Sequence, residues 1–399
     1  MLSGKTILDL TWVLGGPFAG QLLAQLGAEV IKIEPIDGDF ARSVPPLSDT
    51  QDSAFFLSVN RGKRSVALDL KTSEGKEAFY ALVRTADAVI YGFAPDVPRR
   101  LGLDYPSLKA INPRIAVAQI VGLDDKGAYA KAPAFDLVLQ AMAGVMDITG
   151  DEGGRPVRVG YQVADLAGGL YLALATVAAM LKAECTDVGE HVQLSLFDAQ
   201  IAMLSWQAQG FLSFGKVPSA LGARHAMIAP SDAYPTADGR YIAVAPTGEA
   251  FWQKFCTAIG RDGLIDDPRF ASASARIQHV EELTAELSST MRTRAAAEWE
   301  ALLADARVPA AVIKRVDEAL AHPLIEARSM VETTASRSGD KSARLLGNPF
   351  KYAGAARLSY PPALGEDTVA VLMERAGYNA SDIERMEAAG AIRTAQAES

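Results

Sequence analysis

Lys5-Thr-Ile-Leu-Asp-Leu10-Thr-Trp-Val-Leu-Gly-Gly-Pro17-Phe-Ala-Gly-Gln-Leu-Leu-Ala-Gln-Leu26-Gly-Ala-Glu29-Val-Ile-Lys-Ile33 is the stretch that decides the fold class. Thr6–Leu10 reads as a short apolar strand. Pro17–Leu26 reads as a helix with proline in its first turn, where the missing N–H costs nothing. Glu29–Ile33 reads as the next strand. Strand, helix and strand in so short a span make a βαβ unit, and parallel neighbours need such a crossover.

The same alternation continues outward from this unit. Ser65–Leu70, Ala88–Phe93, Ile115–Val121 and His191–Leu196 read as strands. Ser73–Arg84, with Ser73 at the cap position, reads as a helix, as do Phe135–Met146 and Leu166–Lys182. The expected fold class is α/β, with a doubly wound, Rossmann-like large domain over residues 1–200. The pattern changes near residue 220. Thr236-Ala-Asp-Gly-Arg240 is a hairpin-type turn between the apolar strands of Ala233–Ala245. Helical patterns follow at 248–259, 280–292 and 294–305, so a smaller α+β domain is expected over 225–325. Ser336–Ser342 reads as a polar loop, and the chain closes on a helical segment.

Composition narrows the class. A chain of 399 residues is too long for one ordinary core, so two domains or a discontinuous arrangement are expected. Its 49% hydrophobic and 22% charged content is that of a soluble globular protein. A net charge of −9 argues against a general nucleic-acid or anionic-membrane binder, while permitting a local basic pocket for phosphates. Cys185 and Cys256 are too few for a disulfide framework and suit a reducing cytosol. The N-terminus reads directly as a strand, with no basic stretch leading into an apolar one, so no secretion signal and a cytoplasmic location are expected.

Familiar nucleotide motifs fail on inspection. Leu14-Gly15-Gly16-Pro17-Phe18-Ala19-Gly20 has proline where a dinucleotide fingerprint needs glycine. Gln21-Leu22 stand where a P-loop needs Lys and Ser or Thr. The turn still opens a helix and can offer backbone N–H groups to a ligand. There is no G-x-S-x-G elbow. His191, His225, His279 and His322 have no metal-type spacing, so no metal site is expected. Basic residues cluster in Asn60-Arg61-Gly62-Lys63-Arg64-Ser65, with Lys71 beyond, and again at Arg99-Arg100. They read either as solvated turns or as groups that hold a polyphosphate.

Val157-Arg-Val-Gly-Tyr-Gln-Val-Ala-Asp165-Leu-Ala-Gly-Gly169 places one carboxylate at the mouth of an apolar helix, with sixteen uncharged residues between Asp165 and Lys182. There Asp165 is expected to accept backbone N–H bonds, to feel the positive helix end and to stay ionised at neutral pH. Gly168 and Gly169 are expected to leave open space beside it. An ionised carboxylate in a roomy apolar setting can act as a nucleophile. The plain alternative is an ordinary N-cap. The apolar run falls short of the ~20 residues a bilayer needs, so a core helix is expected, and no membrane partner.

Taken together, the chain resembles the family III CoA-transferases, the formyl-CoA transferase and carnitine–CoA transferase group. The resemblance spans essentially the whole length. It rests on Ile7-Leu-Asp-Leu-Thr11 with Gly16-Pro17, on Leu26-Gly-Ala-Glu-Val-Ile-Lys-Ile-Glu34, and on Asn60-Arg-Gly-Lys-Arg-Ser-Val-Ala-Leu-Asp-Leu-Lys71. It continues through Phe135-Asp136 with Gln140, Ile148-Thr149-Gly150, Ala164-Asp165 and Leu364-Gly365-Glu366-Asp367. The Ile-Thr-Gly block and the Asp-Leu-Ala that follows look most similar to members acting on succinyl-type dicarboxylates.

The resemblance implies that Asp165 attacks an acyl-CoA thioester, forming an aspartyl–acyl anhydride and then an aspartyl-CoA thioester. It implies CoA contacts at Val13, Leu68, Lys71, Gly92, Phe93 and Arg100, and at Lys131 in place of a lysine usual where Pro133 stands. Coenzyme A is then a substrate, and no permanent cofactor is implied. Trp12, Leu14 and Gly92 depart from the formyl-CoA transferase pattern, and Arg224-His225-Ala226-Met227 lacks its glycine-rich loop, which puts formate or oxalate specificity in doubt. The implied assembly is an interlocked, ring-like homodimer, with 330–399 returning to the large domain. The nearest rival is an α-methylacyl-CoA racemase, whose second base is a histidine where Phe135 stands. A non-catalytic acyl-CoA-binding protein is the rival of another class.

Overall fold

The computed structural model describes residues 1–48, 51–355 and 357–395, so the segment expected to close the chain is followed as far as residue 395. β1 (Thr6–Leu10) leads through α1 (Gly15–Gln25) to β2 (Glu29–Glu34). A 3-10 turn at Phe40–Ser43 precedes α2 (Ala54–Val59), β3 (Lys63–Leu68), α3 (Ser73–Val83) and β4 (Ala88–Tyr91). Next come α4 (Val97–Leu101), α5 (Tyr105–Ile111), β5 (Ala116–Val121), α6 (Asp136–Met142) and α7 (Val163–Thr186). β6 (His191–Ser195), α8 (Leu196–Met203) and α9 (Trp206–Phe214) follow.

These strands align in the order β3-β2-β1-β4-β5-β6, every neighbouring pair parallel. The chain runs outward from β1 to one edge, returns, and runs outward from β4 to the other, which is the doubly wound order. Both faces of the sheet are covered, so β1 is buried along its whole length. Its alternating side chains feed two cores. Leu8 and Leu10 join Phe79, Leu82 and Leu108 on one face, and Ile7 joins Leu22, Leu23 and Leu172 on the other.

The chain continues through β7 (Asp232–Pro235), β8 (Tyr241–Val244), α10 (Glu249–Ala258), α11 (Ala273–Gln278), α12 (Val280–Met291), α13 (Ala296–Asp305), β9 (Ala310–Val312) and α14 (Val316–Leu320). It ends with α15 (Pro323–Ala327), β10 (Val331–Ala335), β11 (Ser342–Leu346), α16 (Thr368–Ala376), α17 (Ala380–Ala388) and β12 (Ile392–Arg393). β12 pairs antiparallel with β3, Ile392 against Leu68, and makes a seventh strand.

The described residues fall into two compact units. The larger contains Met1–Val145, Arg158–Gly215 and Pro323 onward. The smaller contains Met146–Val157 and Lys216–His322. Trp252, Phe255, Trp299 and Leu303 fill the smaller core behind the antiparallel sheet β7-β8-β9.

Three local readings change. Thr72 rather than Ser73 caps α3, its side chain accepting from the Gly75 N–H at 3.0 Å. Ser336–Ser342 is not a loop between elements but the turn of the hairpin β10–β11 and the first residue of its second strand. Those strands are short, polar and largely exposed, so they carry little apolar alternation. Finally, α7 has 24 residues and is long and apolar enough to cross a bilayer, so the length argument fails. Its placement decides the matter instead. Ala164, Leu172, Ala179 and Met180 are buried in the core against α1 and the sheet.

Candidate active site

The order of strands creates a crevice. β1 and β4 are neighbours, yet the loops after them leave toward opposite faces, and such a switch point is where doubly wound proteins bind ligands. The Thr11–Leu14 turn leaves β1 there and runs into α1, and α7 packs across α1. A Cβ built on Gly15 would stand 2.8 Å from the Asp165 carbonyl oxygen. One built on Gly169 would overlap the Gly15 carbonyl oxygen, and one on Gly168 would overlap the Leu196 side chain. The two glycines after Asp165 therefore do not open space for a ligand, as expected above. They let two helix backbones touch, and that contact sets Asp165 beside the β1–α1 turn.

Asp165 is not an N-cap. Gln162 holds the cap position of α7 without a side-chain bond, and Asp165 sits in the first turn. The capping is done from outside. Asp136 Oδ1 accepts the Ala164 N–H at 2.8 Å, and its Oδ2 accepts from Gln140 Nε2 at 2.7 Å. Gln140 Oε1 accepts the Val159 N–H at 2.9 Å. Asp136 and Gln140 are both buried. They pin the segment that delivers Asp165 and leave the Asp165 carboxylate with no hydrogen-bond partner among the described residues. Burial, reinforced by the Asp136 charge, pushes the Asp165 carboxyl up to about 6. The helix end does not hold it down to the usual range. At neutral pH it is ionised, and more basic than an ordinary aspartate.

The remaining expected contacts distribute along the carboxyl edge of the sheet. Gly92, Phe93 and Lys131 line one cleft of about 320 Å³ together with Ile120 and Leu123. Phe93 stacks on Tyr91, ring centres 5.8 Å apart. Val13 is exposed in the turn after β1, and Lys71 and Arg100 are exposed after β3 and on α4. Leu68 is 1% exposed within β3, where it lies opposite Ile392, so it presents no open surface to a ligand. Phe135 is the N-cap of α6 with its ring exposed.

The basic run reads differently in three dimensions. Arg61 and Lys63 are buried, neither solvated nor free for a polyphosphate. Arg61 donates to Leu346 and Leu358 carbonyls, Thr334 and Glu332. Lys63 donates to Asp9, Asn60 and the Pro17 carbonyl. Arg64 pairs with Glu29, Asp367 and Glu374. A signal was present: Asp9 and Lys32 are charges inside strand patterns whose neighbours are all apolar. Burial alone would push the Asp9 carboxyl up, but the Lys63 and Lys32 ammoniums outweigh it and hold Asp9 below the usual carboxylate range. Sequence reasoning assigned no role to Asp136 or Gln140, because their work is done through space.

An unpartnered, half-buried carboxylate thus lies at the switch point of a doubly wound sheet. The sequence pattern of CoA-transferase family III matches residues 2–368, and the chain belongs to that family. It is 36% identical over 382 residues to the succinate–glutarate CoA-transferase of Agrobacterium fabrum, covering 94% of this chain and 95% of that one. It is 36% identical over 353 residues to the acetyl-CoA:oxalate CoA-transferase of Acetobacter aceti, covering 88% and 89%. The solved structure of a CAIB/BAIF family protein from Brucella suis superposes with a TM-score of 0.83 at 35% identity, covering 94% of this chain and 98% of that one. The protein is a CoA-transferase.

Proposed function

We propose that this CoA-transferase moves CoA from succinyl-CoA, or a similar short dicarboxyl-CoA, to a carboxylic acid, with Asp165 as nucleophile. The observation that carries the reading is the Asp165 carboxylate, ionised at neutral pH, unpartnered, and set against the β1–α1 turn. Its oxygen attacks the thioester carbonyl. A C–O bond forms, the C–S bond breaks, and CoA leaves as thiolate with the electron pair, giving an aspartyl–acyl anhydride. The thiolate then attacks the aspartyl carbonyl, the donor acid leaves as carboxylate, and CoA is held as an aspartyl thioester. The incoming carboxylate reverses both steps and restores Asp165. No proton is gained or lost overall, so no acid–base partner is required, and the site's main task is to position two reactants away from water. The proposed CoA contacts are Val13, Lys71, Gly92, Phe93, Arg100 and Lys131, without the buried Leu68. The dicarboxylate preference is supported by the name of the Agrobacterium fabrum relative, which carries succinate and glutarate. Phe135, which has no proton to exchange, favours transfer over racemisation.

The test is a trap. Incubation with succinyl-CoA and no acceptor leaves CoA on Asp165; borohydride converts that thioester to an alcohol and hydroxylamine to a hydroxamate, each mapped by mass spectrometry to the peptide between Arg158 and Lys182. Asp165→Ala gives no adduct and loses at least a thousandfold in kcat while CoA still binds. Near-normal turnover in Asp165→Ala, or α-proton exchange with no adduct, would overturn the assignment.

A further inference from the structure

The turn between β1 and α1 is gripped from beneath by two buried ion pairs that take no part in the transfer chemistry. Lys63 Nζ lies 2.8 Å from Asp9 Oδ2 and donates to the Pro17 carbonyl at 2.8 Å, while Asp9 Oδ1 accepts the Thr11 N–H at 2.9 Å. Lys32 and Asp39, 0% and 3% exposed, grip the other side. Lys32 Nζ donates to the Thr11 carbonyl and to Asp39 Oδ2, both at 2.9 Å, and Asp39 Oδ1 accepts the Val13 N–H at 3.3 Å. Val13 stands at φ +67°, in the left-handed region that a β-branched residue avoids. Two residues further on, Gly15 lies against the Asp165 backbone.

A buried ion pair is a poor device for stability, because apolar residues of the same volume often serve as well. Apolar residues cannot hold the carbonyl of one residue and the amide of another at fixed points. Lys32 and Asp39 do this for Thr11 and Val13, a non-glycine left-handed residue beside the switch point. Resting on the reading of Asp165 as nucleophile, we propose that Lys32 and Asp39 are positioning residues for the transfer: they keep Val13 in its left-handed conformation and so fix the turn against which Asp165 is set.

The double variant Lys32→Met/Asp39→Leu tests this, since it roughly keeps the length and branching of both side chains and removes both charges. With succinyl-CoA and the fastest acid of a carboxylate panel, kcat falls at least tenfold, and KM for succinyl-CoA rises as well, because Val13 is also a proposed CoA contact. The melting temperature changes by only a few degrees. Hydrogen–deuterium exchange of the peptide spanning Val13–Gly16 rises at least tenfold, and the sheet strands stay protected. Wild-type kcat, or unchanged exchange at Val13–Gly16, overturns the proposal; faster exchange at wild-type kcat also overturns it, because the pair would then be structural only. Should the double variant not fold, Asp39→Ala is judged by the same two measurements, since it removes the acceptor for the Val13 N–H together with the ion pair. Transfer surviving in a parallel Asp165→Ala preparation would sink the nucleophile reading alone, and the exchange result would still decide whether the pair holds the turn.

Discussion

Asp165 carries a conflict between stability and function that can be measured. Its carboxyl sits near 6 in the folded chain because burial and the Asp136 charge disfavour ionisation, against about 3.9 when the chain is unfolded. Between those values the folded state binds the proton more tightly than the unfolded state. Wild-type stability at this position is therefore fully present below about pH 4 and is lost as pH rises to about 6. We expect Asp165→Asn to melt above wild type at pH 7, by on the order of 1–3 kcal/mol, with the gap opening between pH 4 and 6 and level above that. Thermal melts across that range check it; a constant gap would mean the carboxyl is not perturbed. Activity follows the opposite course. The nucleophile must be ionised, so kcat/KM should fall as pH drops through about 6 and be flat above. Asp136→Asn removes the second cause of the shift and should move that acid limb to lower pH, seen in a pH–rate profile. An unmoved limb would leave burial as the only cause.

At the scale of elements, the contact between α1 and α7 depends on which glycine is changed. A methyl group on Gly169 would meet the Gly15 carbonyl oxygen, which is backbone and cannot step aside. A methyl group on Gly168 would meet the end of the Leu196 side chain, which can turn away. We expect Gly169→Ala to cost about 1–3 kcal/mol or more, as overpacking does, and to lower kcat at least tenfold by pushing the helices apart. Gly168→Ala should cost clearly less in both. Equal losses in denaturant melts and steady-state kinetics would show that the helix contact does not place Asp165. The capping of α7 by Asp136 belongs to this scale too, because the side chain that closes the helix mouth comes from α6, not from α7 itself. Local sequence rules for caps look only at neighbouring residues and so nominated Asp165.

For the whole molecule, exposed apolar surface is concentrated on α9 and along α7. α9 has no buried residue, and Trp206, Phe211, Leu212 and Phe214 on it are each half exposed or more. Leu170, Leu174 and Leu181 form a further exposed stripe along α7. Patches of this kind mark interaction surfaces. We expect a homodimer that persists at nanomolar concentration, as interlocked chains require, because they must unfold to separate. Sedimentation or mass photometry showing monomers on dilution would contradict it. Cys185 and Cys256 are both free cysteines, the first exposed and the second buried.

Much of this was legible in the chain itself. Each parallel strand was visible to within two or three residues, because a strand covered on both faces must be apolar throughout and its helices must be periodic. Those patterns are local, and so is the isolation of Asp165 at the head of an apolar run. The order of the blocks from Ile7 to Asp367 pointed to the CoA-transferase family. What no local pattern contains is the pairing of charges far apart in sequence. Asp9, Lys32 and Asp39 had no assigned role in the sequence, and Lys63 read as part of a basic cluster, until the sheet brought them under one loop. The role of Gly168 and Gly169, the cap supplied by Asp136, and the raised basicity of Asp165 likewise arise from what packs against them. Hydrophobic periodicity fixes which face of each element is buried; only the packed structure decides which polar groups are buried with it, and those groups set the geometry and charge of the site.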